Sequence, residues 1–300
     1  MSTLLVGFDS AWTARNTGGL VGVLHDDDGR CRELGLDDAI DFEAAAERIE
    51  SWRESCRPKR TLILIDQPTI VRNATRQRPV EHLAASPVSR RRGGVQPAKT
   101  GRAGMFDAEA PVWTFLSRFG GALDPLDCGS ADPMIVETYP VLTLIALGWL
   151  REDSRSCGRL PKYNPERPTF LLEDWCWLCE RLADALSGFG LTDIPRWLRE
   201  RQNIRPRKAD QDGLDACLCL LTAIHLAANR PCLRVGNTES GLIIVPDSAA
   251  LRDELDLRCK KTGRIAADWV REIRYCVEPN LSRQSVADCH THVGAEYRLS

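Results

Sequence analysis

Apolar residues form short unbroken runs in the first part of the chain and helical spacings between them, and that change of period predicts the elements. TLLVGF at 3–8 is an apolar run that ends at Asp9. After Gly18 and Gly19, LVGVLH runs into an acidic turn, so the two segments predict a hairpin. CRELGL at 31–36 supplies a third strand, and DFEAAAERIESWRESC at 41–56 spaces its apolar residues as a helix does. TLILIDQP at 61–68 has the continuous apolar character of a buried strand, stopped by Asp66 and Pro68. The order to this point is β-β-β-α-β.

Residues 69–111 break the pattern. Glycine, proline, serine and arginine dominate and no apolar period persists, which predicts one long loop or flap. PVWTFLSRF at 111–119 resumes a helical spacing, PMIVETYP at 133–140 is a second buried strand ending in a carboxylate and a proline, and VLTLIALGWL continues as helix. A further helix is expected over 170–186. DGLDACLCLLTAIHLAA at 212–228 is apolar nearly all round, as an interior helix is, and ESGLIIVP at 239–246 reads as a last strand. These elements predict an α/β domain over residues 1–246, with 247–300 as an extension holding one amphipathic stretch and a polar end.

Charge refines this picture. Forty basic against forty-two acidic residues leave a net charge of −2, so no global positive field is available to hold a polyanion and any such site must be local. The expected loop is locally basic: between residues 72 and 104, Arg72, Arg76, Arg78, Arg90, Arg91, Arg92, Lys99 and Arg102 stand against the single acid Glu81. No basic leader with a long apolar run opens the sequence and no stretch approaches the roughly 18 apolar residues of a membrane span, so a cytoplasmic protein is expected. The twelve cysteines lie in apolar segments or scattered in loops, which predicts reduced thiols. Cys176 and Cys179 form a CxxC inside an amphipathic helical pattern, and Cys289, His290 and His292 cluster near the C-terminus, far from it. A core-facing cysteine pair accounts for the first better than zinc does.

The chemistry lies in the acids. Asp9, Asp66 and Glu137 each end an apolar strand, at the carboxyl ends of the strands, where ligands collect in an open α/β sheet. Asp212 and Asp215, three apart, share one helical face. Carboxylates gathered in a partly desolvated site repel one another unless cations neutralise them, and oxygen-only donors select hard ions, so Mg²⁺ or Mn²⁺ is the expected cofactor. A pair of such ions about 4 Å apart activates water against a phosphodiester without a nucleophilic side chain. Taken singly, each acid has an ordinary role as strand-closing turn residue or helix cap; their joint placement favours the metal.

The β-β-β-α-β order with Asp9 and Asp66, followed by DGLDA on a late helix, resembles the RNase H-like superfamily, and the DxxDA element is similar to that of RuvC-type resolvases. GFDSAWTARNTGGL, LIDQP, RPVE, GMFD, VETYP, the segment 162–164 and GLIIVP, in that order over about residues 3–246, resemble the family of predicted nucleases called domain of unknown function 429. The resemblance implies an RNase H-like five-stranded mixed sheet flanked by helices, with metal ligands at Asp9, Asp66, Asp212 and Asp215 and a nucleic-acid substrate, DNA or RNA. It implies that the fourth strand adjoins the first, so that Asp66 stands about 4.8 Å from Asp9. Glu137, one strand farther, would bind an ion through water or orient another group. Many relatives in the superfamily carry glutamate at the fourth-strand position, where this chain has the shorter Asp66. Arg90, Arg91, Arg92, Lys99 and Arg102 are then expected to meet backbone phosphates beside the acids, with Lys162 as a further contact.

Two other readings share the fold. An actin-like ATP-dependent phosphotransferase also opens on a strand ending in aspartate, but needs small residues where phosphate approaches, and Trp12 stands there. An inactive RNase H-like binding module would keep the fold without needing an ion at the acids.

Overall fold

The computed structural model describes residues 2–26, 28–120, 123–126, 132–154 and 156–274. β1 (Thr3–Asp9), β2 (Gly18–His25) and β3 (Cys31–Ile40) form an antiparallel meander. α1 (Phe42–Cys56) starts where the Asp41 side chain accepts from the Ala44 amide at 2.9 Å, and buries Phe42, Ala45, Ala46, Ile49 and Trp52 along one stripe. β4 (Arg60–Ile65) returns parallel to β1. α2 (Pro79–Arg90) and α3 (Pro111–Phe119) precede β5 (Met134–Glu137), which adds parallel to β4 and completes a five-stranded mixed sheet in the order β3-β2-β1-β4-β5.

Then follow α4 (Pro140–Ala146), α5 (Leu172–Ser187), α6 (Asp193–Glu200) and α7 (Lys208–Ala227). β6 (Cys232–Asn237) and β7 (Gly241–Pro246) lead into α8 (Ala249–Lys261), α9 (Ala266–Trp269) and β8 (Val270–Ile273). The last three strands make a second, antiparallel sheet, β7-β6-β8. It is joined to the end of β5 by a parallel bridge between Thr138 and Ile244. The described part of the C-terminal segment therefore packs on the body: β8 pairs with β6, and α8 is tied to α2 through Glu254 and Arg91, with a hydrogen bond at 3.0 Å.

Strand alternation divides the core in two. Leu4, Val6 and Phe8 of β1, with Ile63 and Ile65 of β4, face α1 and α3; Leu5, Leu62 and Leu64 face the other way, into a core shared with α7. No helix among the described residues is long and apolar enough to cross a membrane.

Residues 69–111 are not the single long loop that their composition predicts. α2 lies within them, begun by Pro79 in the first turn, where a missing amide costs nothing. It buries Val80, Leu83, Ala84 and Val88, and carries Pro87 internally. Prolines and arginines obscure this apolar row in the sequence. α6 and β6 were likewise not expected, and β3 runs four residues past the predicted 36.

Candidate metal centre

Period-two alternation in β1 and β4 delivers the first two acids. Asp9 follows Leu5 and Gly7 on one face of β1, and Asp66 follows Leu62 and Leu64. Phe8 pairs with Ile65 in parallel register, so Asp9 and Asp66 come next, side by side. Asp66 donates its amide to the Phe8 carbonyl at 2.8 Å, carrying the pairing one residue beyond the strand.

α7 brings the other two, and glycine lets it approach. A methyl group on Gly7 would collide with the Ala216 carbonyl and Leu220 amide of α7, and one on Gly19 with the Asp212 carbonyl and the Gly213 amide. Gly19 is the cross-strand partner of Asp9. The first turns of α7 therefore lie against the backbone beside Asp9, and Asp212 and Asp215 enter the same space. Asp9, Asp212 and Asp215 are each no more than 5% exposed, and Asp66 is partly exposed.

Burial raises the proton affinity of all four. Asp9 is pushed well above the ordinary carboxylate range by burial, then by the charges of Asp215, Asp66 and Asp212. Asp66 is raised the same way, by burial and then by Asp215, Glu137 and Asp212. Burial brings Asp215 to about 6 and also raises Asp212. The neighbouring Lys208 charge acts on Asp212 in the opposite sense.

Neighbours hold the acids in place. Tyr163 donates to Asp215 Oδ1 and Gln211 Nε2 to Oδ2, both at 2.8 Å. Lys208, one turn before Asp212, forms an ion pair with it and lowers the proton affinity of Asp9, Asp66 and Asp215 as well. Glu137 is engaged elsewhere. The buried Arg78 guanidinium holds it with two hydrogen bonds, 2.8 and 2.6 Å long, and also binds Glu81 at 2.8 Å. Lys208, Gln211, Tyr163 and Arg78 were not assigned these roles from sequence. The i, i+4 spacings of Lys208–Asp212 and Gln211–Asp215 are a usable signal; Tyr163 and Arg78 reach their acids across long stretches of chain and leave none.

This donor set fits a hard divalent cation by its chemistry: four carboxylates, three of them buried, whose mutual repulsion is offset by one lysine. Among the described residues, no three acidic, histidine or cysteine side chains are already converged on one ion position. Cys179 is buried in the core with Cys176 packed against it, and Cys289, His290 and His292 lie outside the described residues.

The basic residues expected at phosphates are dispersed. Arg91 is corrected: it is 6% exposed and bound to Glu254 and to the Pro87 carbonyl, so it fastens α2 to α8 and is buried away from any phosphate. Arg92 makes a two-bond pair with Asp153 at 2.9 and 2.8 Å, and Lys162 donates to the Arg92 carbonyl at 2.8 Å. Arg90 is exposed at the end of α2, within 4.0 Å of Glu254. Lys99 and Arg102 are partly exposed in the segment before α3, where Arg102 donates to the Pro97 carbonyl at 3.3 Å.

No curated protein and no solved structure matches the sequence. A family does. Residues 7–239, which include Asp9, Asp66, Glu137, Asp212 and Asp215, match the family described as protein of unknown function (DUF429), and the chain belongs to that family.

Proposed function

We propose that the protein is a metal-dependent nuclease with an RNase H-like core, hydrolysing nucleic-acid phosphodiester bonds with Mg²⁺ or Mn²⁺ held by Asp9, Asp66, Asp212 and Asp215. One observation carries this reading: carboxylates from β1, from the turn after β4 and from two positions of α7 share one space, and the charges of the others raise the proton affinity of Asp9 and Asp66. Such crowding opposes folding unless cations enter. The sheet order β3-β2-β1-β4-β5, with β4 beside β1, supports the core assignment.

A bound divalent ion would supply activation of water and neutralisation of charge on the reacting phosphodiester. The chain's own residues prepare that chemistry. Tyr163 and Gln211 fix both oxygens of Asp215, so its orientation does not depend on the ion. Arg78 neutralises Glu137 and leaves it to steady the end of β5 beside Asp66. Arg90, Lys99 and Arg102 are the predicted basic residues best suited to bring positive potential to a nucleic-acid backbone, read by charge more than by sequence. The actin-like alternative is disfavoured by Trp12, which adopts φ 60° in the β1–β2 turn and packs edge-on against Phe106 at 5.9 Å, filling the turn with a bulky ring.

The test is incubation of purified protein with labelled single-stranded, duplex and branched DNA and RNA in Mg²⁺ or Mn²⁺. Cleavage that EDTA abolishes is expected; no cleavage of any substrate would count against the reading.

A further inference from the structure

Lys208 stands in an unusual place for a structural cation. It is the first residue of α7, where the helix dipole disfavours positive charge. The start of α7 does not need it: Asp210 accepts from the Arg207 amide at 2.7 Å and from Arg201 Nε at 2.9 Å, closing the first turn. Lys208 instead turns its ammonium group to Asp212 and acts electrostatically on all four acids of the cluster. Its side chain is 42% exposed and reaches Asp212 on a flexible four-carbon stem.

We propose that Lys208 is the resident counter-ion of the carboxylate cluster, and that an incoming divalent cation must displace its ammonium group from Asp212. This rests on the metal-site reading above. Lys208 is a positioning residue here: it holds the acids together when no divalent ion is bound and sets how tightly one binds. One positive charge facing four acids cannot neutralise them, whereas a divalent ion brings twice that charge to the same oxygens. Displacement therefore carries a penalty that removal of the lysine charge abolishes.

The experiment is calorimetric titration of Mn²⁺ into the full-length wild type, Lys208→Met and Lys208→Arg, each first stripped with EDTA and checked for folding by thermal unfolding. Methionine keeps much of the stem and removes the charge; arginine keeps the charge. A Kd for Mn²⁺ on the order of tenfold lower in Lys208→Met, with Lys208→Arg near wild type, is expected for the loss of one nearby competing charge. Lys208→Gln serves the same comparison should Lys208→Met fail to fold. A wild type that binds Mn²⁺ while the neutral variants bind equally well or more weakly overturns the counter-ion role and leaves the metal reading standing. Absence of Mn²⁺ binding to the wild type and to every variant overturns both.

Discussion

Asp9→Asn should lower metal-dependent cleavage by roughly a thousandfold or more while raising the thermal stability of the metal-free protein. Loss of groups that merely support a metal ligand commonly costs 10–100-fold, so loss of a ligand itself should cost more. Asparagine has nearly the same shape but cannot be anionic, and it relieves the repulsion that Asp215, Asp66 and Asp212 exert at this buried position. A gain of roughly 2 °C or more in melting temperature in EDTA at pH 8 corresponds to about 1 kcal/mol for a chain of this size. The opposite signs are the diagnostic feature. An aspartate that only closed a strand would, when replaced, lower stability and leave cleavage unchanged; cleavage assays and thermal unfolding on one preparation read both.

The second large effect is on stability against pH. In the unfolded chain the Asp215 carboxyl loses its proton near the ordinary value of 3.8, whereas burial holds it in the fold until about 6. Between those values the folded state binds more protons, so stability falls as pH rises from about 4, and this group's loss is complete above about 6. A shift of that size amounts to up to about 3 kcal/mol. Asp9, Asp66 and Asp212 are displaced in the same direction, chiefly by burial, and extend the loss toward higher pH. Divalent cations compete with the protons, so Mn²⁺ should restore stability at pH 8 and do little at pH 5. Denaturant unfolding in EDTA at the two pH values, repeated with excess Mn²⁺, checks this. Equal metal-free stability at both, unchanged by the ion, is the contrary result. Carrying Asp9→Asn through the same series separates the cluster from carboxylates elsewhere in the chain.

The acids were legible because each stands where a local pattern stops. Asp9 and Asp66 end apolar strand runs, and the three-residue spacing of Asp212 and Asp215 on an apolar helix sets them on one side of it. The adjacency of β1 and β4 was implied by family resemblance, and the structure has it. What sequence could not supply is partnership over distance. Arg78 counts in the sequence as one more charge of a basic segment, yet it is buried between Glu81 and Glu137, 59 positions from the latter. Arg91 is tied to an acid of α8. Reading residues 69–111 as one long basic loop therefore failed twice: a proline-started helix lies within them, and part of their charge is spent inside the fold. β6 escaped notice because CLRVGN is short and interrupted by Arg234, whose charge is neutralised by the distant Asp124.

The central claim is that Asp9, Asp66, Asp212 and Asp215 are gathered to share a divalent ion. Anomalous scattering from crystals soaked in Mn²⁺ tests it most directly. The account predicts a peak among these four carboxylates, with the Lys208 ammonium group withdrawn from Asp212. Crystals saturated with Mn²⁺ that show no peak there, with Lys208 still paired to Asp212, would contradict it.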